Sequence, residues 1–212
     1  MASNQLPMFP LSIVVFPGED LNLHIFEPRY RQLVYDCLKD DLAFGIPPYF
    51  EGKGLKKGAE LRLIKVAKIY EDGTMDIKAK GIGWFEIIEF FRIMHGKLYP
   101  GGIIKRMPWS DESDFTNNVK LISLIGQLYD IMKITNVKIP PPDKFRTYTL
   151  AHKVGLNIDQ ELELLSITEE PERQLYLIDH LEHLIPIVRE AENLRKRAEL
   201  NGHFQNVISP DI

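Results

Sequence analysis

The sequence predicts an α+β protein: a β-rich first half closing into a barrel, then a helical second half. Three observations carry this. Around Asp72-Gly73, LRLIKVAKIY and TMDIKAK flank a two-residue turn signal, with Met75, Ile77 and Ala79 on one face of the second run and Asp76, Lys78 and Lys80 on the other. That alternation marks half-buried strands joined by a tight hairpin. Further short apolar runs, separated by Gly and Pro, bring the total to about six strands, a number suited to a closed or half-closed barrel. After Pro108-Trp109 the apolar spacing changes to the helical period.

Taken in order, Leu11–Phe16 and Leu21–Phe26 are the first two expected strands, split by Pro17-Gly18-Glu19-Asp20. Pro presets φ for a turn and Gly supplies positive φ. A helix then begins at Glu27-Pro28, because Pro is tolerated in a first turn whose N–H groups lack intrahelical partners. Glu27 suits the positive end of the helix dipole. Tyr30, Leu33, Val34 and Cys37 or Leu38 recur at helical spacing and are expected to face the barrel. Beyond the hairpin, WFEIIEFF and KLYPGGIIKRM supply two further strands, and Gly81, Gly83, Gly101 and Gly102 mark bulges or close backbone approach.

The expected division is a barrel part at residues 1–108 and a helical part of about four helices at residues 109–212, packed as layers of one unit. Phe115 to Ile134 is apolar on more than one face and so predicts a well-buried helix, with Gly126 hinting at close packing. Pro140-Pro141-Pro142 ends it and opens a helix from Asp143 to Val154. Asn157 and Asp159 can cap the short ELELLSI helix. Thr168-Glu169-Glu170-Pro171 starts the longest one, with Leu175, Ile178, Leu181, Ile185 and Val188 as its inner seam, and Pro186 either kinks it or removes one hydrogen bond.

Composition narrows the function classes. The chain has 212 residues, 44% hydrophobic and 26% charged, which is ordinary globular usage and argues against disorder. A formal net charge of −4 removes the broad positive field of a nonspecific nucleic-acid binder. The single cysteine, Cys37, excludes an internal disulfide framework and a Cys-based zinc site. No apolar run is long enough for a membrane span, and the amino terminus lacks the basic and apolar regions of a signal peptide, so a cytoplasmic protein is expected.

No reaction is written in the motifs. Gly52-Lys53-Gly54-Leu55-Lys56-Lys57-Gly58 lacks the spacing and hydroxyl of a phosphate loop. His180 and His183 share a helix face, but HExxH is absent, and His24 within an apolar strand reads as a hydrogen-bonded structural histidine. There is no GxSxG elbow. We therefore expect no catalytic residue, no cofactor and no metal. The alternative of an RNA-binding barrel rests on Lys56, Lys57, Lys65, Lys68, Lys78 and Lys80 near aromatic residues, against which the overall negative charge weighs. A hydrolase without a readable motif is the least favoured reading.

The opening stretch LPMFPLSIVVFPGEDLNLHIFEPRYRQLV resembles the start of the Lon protease substrate-binding domain, in the version carried by small stand-alone proteins. Leu6-Pro7, Phe9-Pro10-Leu11, Phe16-Pro17-Gly18, Leu21, Leu23 and His24 to Tyr30 carry the match, and Gly81 to Ile87 continues it. Trp84 stands where the family usually has a basic residue, a departure expected to alter a surface contact. The resemblance spans about residues 6–190 and implies a PUA-like barrel followed by a helical bundle. It implies recognition of unfolded or partner protein segments, as an adaptor without the ATPase and Ser-Lys peptidase domains of full Lon enzymes. The binding surface is expected where Phe16 to Tyr30 meets the barrel. There Pro17 and Gly18 form a loop tip that presents Phe16 nearby, followed by His24, Glu27, Arg29 and Tyr30 at a strand–helix corner. The competing reading makes the corner a folding device, in which Glu27 caps, Pro28 starts the helix, Tyr30 packs inside and Arg29 braces Glu27 or another acid.

Overall fold

The structure, a computed structural model, describes residues 4–49 and 56–205, with side chains up to residue 199. Gly52-Lys53-Gly54-Leu55 lie outside the described residues. The strands are β1 (Gln5–Pro7), β2 (Asp20–Ile25), β3 (Ala43–Ile46), β4 (Lys57–Ile69), β5 (Met75–Phe91) and β6 (Gly101–Met107). The helices are α1 (Pro28–Asp40), α2 (Phe115–Met132), α3 (Thr147–Leu150), α4 (Ile158–Ser166) and α5 (Glu170–Gln205). Two compact units emerge: Met1–Ser110 with Leu156–Glu169, and Asp111–Gly155 with Glu170–Ile212. Among the described residues no helix is long and apolar enough to cross a membrane.

In the first unit the antiparallel order is β1-β6-β5-β4-β3, with β2 paired to β5 off that path. A bridge between Met8 and Gly45 links the two ends of the order and closes the barrel. The hairpin forms as its sequence requires: Tyr70 N donates to Thr74 O at 2.9 Å, and Gly73 takes φ +79°. α1 starts at Pro28 and buries Tyr30, Leu33, Val34 and Cys37, whereas Leu38 is exposed. These side chains join Phe44, Ile46, Leu61, Met75 and Ile77 in one core, each large aliphatic group contributing about 1.5–3 kcal/mol. Burial there pushes the Cys37 thiol up to about 12. The capping box of Asn157 and Gln160 starts α4. Lys57 Nζ then donates to Leu162 O at 3.3 Å and to Ser166 Oγ, which ties α4 to β4.

Two strand expectations need correction. Leu11–Phe16 is not a strand: it touches the ladder only through a Leu11–Pro48 bridge, while Ser12 Oγ and Phe16 N bond to Tyr49 O and the Glu19 carboxylate. Val14, Val15 and Phe16 are buried, so the apolar run is core-crossing coil. WFEIIEFF is not a separate strand either. β5 runs through Gly81 and Gly83, because Glu60 pairs with Gly83 and Leu61 with Gly81, leaving Ile82 as a bulge that absorbs the bend.

In the second unit, α2 and α5 meet across buried Leu121, Ile125, Leu128, Leu177, Leu181 and Ile185. Asn118, fully buried, donates to Pro142 O at 2.8 Å and bonds Gln174. Glu170 accepts from Thr147 N at 2.7 Å and Thr147 Oγ1 at 2.8 Å, and pairs with buried Arg173 at 2.9 Å. Each buried polar group in this network has a partner, without which its desolvation would be strongly destabilising. The expected helix Asp143–Val154 shrinks to α3 and a 3₁₀ turn at Ala151–Lys153. Leu175 faces solvent, outside the arc defined by Ile178, Leu181 and Ile185. A Cβ on Gly126 would meet nothing within 4 Å, so that glycine does not mark close packing.

Candidate functional site

The expected corner exists, but its residues divide between surface and interior. Pro17 and Gly18 form a turn in which Glu19 N donates to Phe16 O at 3.1 Å and Gly18 has φ +86°. Pro followed by a positive-φ Gly is the pairing a type II turn demands. Gly18 N donates to Gly81 O and Gly81 N to Glu19 O, both at 2.9 Å, which locks the turn onto β5. The turn does not present Phe16 as expected. Phe16 is 0% exposed and Pro17 is buried, so both side chains hold the turn to the barrel. Tyr30 is also interior, stacked on Phe9 at 3.9 Å between centroids. Burial, before the influence of Arg29, raises its hydroxyl pKa.

His24, Glu27 and Arg29 reach the surface. Glu27 is the N-cap of α1 but makes no side-chain cap; its carboxylate accepts from Arg29 Nε at 2.8 Å and Nη2 at 2.7 Å. The Arg29 guanidinium lies 4.6 Å over the Tyr30 ring, which fixes its position on the helix start. His24 Nδ1 bonds Asp76 Oδ1 at 2.7 Å, and Tyr70 OH donates to Asp76 Oδ2 at 2.7 Å. The bond from His24, then that from Tyr70, holds the Asp76 carboxyl below its usual range. The His24 ring stacks on Phe26 at 6.5 Å and meets the edge of Tyr70 at 5.8 Å, while Lys68 Nζ sits 4.2 Å over Tyr70.

Phe26, Tyr70 and Asp76 are the members that sequence reasoning missed, while Lys68 entered only among the lysines of the RNA-binding alternative. A signal for Phe26 was present: Asn22, His24 and Phe26 continue one period-two face, and 63% of Phe26 is exposed. Tyr70 and Asp76 are brought in by the hairpin, across strand pairs that β2 itself does not encode.

The other sequence candidates sit elsewhere. His180 Nε2 bonds Val154 O at 3.0 Å, and His183 Nδ1 bonds Asp179 O at 2.7 Å on its own helix. Among the described residues no cluster of His, Cys, Asp or Glu is arranged to hold a metal ion. Of the lysines invoked for RNA, Lys57 is engaged by α4 and Lys78 pairs with Asp20 at 2.8 Å. Trp84 is 3% exposed and therefore cannot alter a surface contact as expected; it is a packing residue.

Comparison with known proteins agrees with this architecture. Residues 5–187 match the family model of the ATP-dependent protease La (LON) substrate-binding domain. Among solved structures, the chain is similar to a Lon N-terminal domain protein from Xanthomonas campestris at 24% identity, covering 82% of this chain and 97% of that one with a TM-score of 0.65. It is also similar to the N-terminal domain of Mycobacterium avium complex Lon protease at 15% identity, covering 84% and 98% with a TM-score of 0.57. At these identities the two structures speak for the fold.

Proposed function

Because the chain belongs to the LON substrate-binding domain family, we propose that it is a non-catalytic recognition module that holds segments of other proteins, serving as an adaptor. The family is defined by substrate binding and not by a catalytic domain, which makes recognition the activity to look for. One observation carries the placement of the site: Phe26 projects into solvent at 63% exposure from a corner whose neighbours are already fixed. His24 is held by Asp76, and Arg29 by Glu27 and Tyr30. An exposed aromatic anchor beside ordered polar groups binds without ordering them first, which lowers the entropic cost of association.

Phe16, Pro17 and Tyr30 serve this reading as the support under the corner, and His24, Phe26 and Arg29 as its contacts. The test uses immobilised chain and a permanently unfolded protein, reduced and carboxymethylated α-lactalbumin, against native α-lactalbumin as control. We expect capture of the unfolded form alone, weakened about tenfold in Phe26→Ala, as for a truncated hot-spot aromatic. Equal capture by Phe26→Ala would place the site elsewhere. The chain is expected to turn over neither ATP nor the bound protein. Turnover that survives repeated purification and disappears on a point mutation in this chain would refute the non-catalytic reading.

A further inference from the structure

We infer that the outer edge of β2 accepts an acidic, extended segment of a partner protein as an added strand. The inference rests on the recognition reading above and names the form and charge of what is recognised. Its basis is the hydrogen-bond alternation of β2. The Gly81 N to Glu19 O bond makes that a hydrogen-bonded pair, so Leu21, Leu23 and Ile25 direct their peptide groups at β5. Asn22 and His24 direct theirs outward, and no described residue bonds to them there. Among the described residues β2 has no strand neighbour on that side.

Open edges are normally blunted, and the contrast with β4 is informative. Past Arg62, β4 also lacks a second strand neighbour among the described residues, but its pairing with β5 shifts at Leu63/Lys65 and again at Val66/Lys68. Bulges and edge lysines are the devices that prevent strand addition. β2 carries neither: six consecutive residues pair in unbroken register, from Asp20↔Lys80 to Ile25↔Met75, and none of them is lysine. The edge therefore keeps the straight ladder of donors and acceptors that an extended chain needs.

Charge selects the occupant. Across β2, β5 and β4 the exposed face is ordered in rows: Asp20, Lys80 and Arg62; then Asn22, Lys78 and Lys65; then His24, Asp76 and Lys68. Cations outnumber carboxylates five to two on a chain whose net charge is −4. Lys78 already spans one strand spacing to reach Asp20. Lys80 lies one strand, about 5 Å, from β2, well inside a Debye length of about 8–10 Å. An added strand bearing Asp or Glu on this face gains from that field, and an apolar residue at its end meets Phe26. A second copy of the chain would bring like cations together, which disfavours β2–β2 pairing.

The experiment uses a fluorescein-labelled peptide of alternating glutamate and valine, read by anisotropy. Controls are two versions N-methylated at one or the other set of alternate amides, a lysine–valine version, and a labelled single-stranded RNA. The expected result is binding of the glutamate peptide, weakened about tenfold by one N-methylation pattern and little by the other, and weakened as salt rises. Asn22→Pro removes an outward donor while leaving the β5 ladder intact and should weaken binding about tenfold. Lys80→Glu, a surface change that tests charge independently of folding at position 22, should do the same.

Equal binding of both N-methylated peptides, or preference for the lysine peptide, overturns the inference. RNA binding that the glutamate peptide does not displace also overturns it, as does a concentration-dependent dimer abolished by Asn22→Pro. If Asn22→Pro and Lys80→Glu still capture unfolded α-lactalbumin at full strength, the edge is refuted and recognition stands. If the unmodified chain captures neither α-lactalbumin nor the peptide, both fail.

Discussion

Replacing Gly81 by alanine is the sharpest test of how β2 and its turn are placed. A Cβ there would stand 2.2 Å from Phe16 O, 3.1 Å from Phe16 C and 3.4 Å from Pro17 Cα. The close neighbour is backbone, so no rotamer change relieves it; the turn must retreat by about 1 Å to reach ordinary contact. Overpacking of this kind costs about 1–3 kcal/mol. The retreat also stretches the Gly18 N–Gly81 O and Gly81 N–Glu19 O bonds, each contributing about 0.5–1.5 kcal/mol. Together the expected loss is about 2–6 kcal/mol. Trp84 and Trp109 are the only tryptophans and both lie in the first unit, so urea unfolding followed by tryptophan fluorescence reports on that unit. With a urea slope of about 2 kcal/mol per molar, the midpoint should fall by about 1–3 M. Gly126→Ala is the opposite-sign control, read by far-ultraviolet circular dichroism of the helices: it sits in α2 with nothing within 4 Å of its Cβ, and should stabilise the second unit by about 0.4–1 kcal/mol. A Gly81→Ala loss below about 0.5 kcal/mol would refute the packing reasoning, because it would mean the turn yields freely.

Arg29→Ala should lower stability by no more than about 1–2 kcal/mol, since its ion pair with Glu27 is half-exposed and the guanidinium over the Tyr30 ring stays partly in solvent. Capture of unfolded α-lactalbumin should fall much further than that; a larger stability loss with intact capture would make Arg29 structural. Asp36 controls part of the acid limb: burial raises its carboxyl pKa, but the bonds from Lys97 and Tyr99 at 2.7 Å outweigh it and leave it lowered. A lowered folded pKa contributes stability that is present above the unfolded value of about 3.9 and lost as pH falls through the folded value. The stability gap between the unmodified chain and Asp36→Asn, read by urea titration, should therefore be constant above about pH 5 and shrink below about pH 4. A gap independent of pH down to acid unfolding would contradict this. Cys37, buried with its thiol pushed up to about 12, should resist a thiol-reactive disulfide reagent at pH 8 until urea unfolds the first unit. Rapid labelling of the native chain would show that α1 opens independently.

Local chemistry made the hairpin at Asp72-Gly73, the Pro28 helix start, the Asn157 cap and the bulge between Gly81 and Gly83 legible in the sequence. Each depends on residues within a few positions, acting through φ preference, orphan N–H groups or period-two alternation. The family's motif at residues 6–30 was legible for the same reason, as an ordered local string. Burial was decided only by tertiary structure. Phe16 and Phe26 are both aromatic residues at the ends of apolar runs, yet one is 0% and the other 63% exposed. What separates them is Gly81, whose missing side chain admits the Phe16–Pro17 backbone against β5. Tyr30 is interior because Phe9 stacks on it, and His24 is fixed because the hairpin delivers Asp76 and Tyr70 to it. Gly81 and Gly126 look alike in sequence, but only Gly81 faces another backbone. Propensity and periodicity act along the chain, whereas exposure and contact depend on which distant segments the folded backbone brings within a few ångströms.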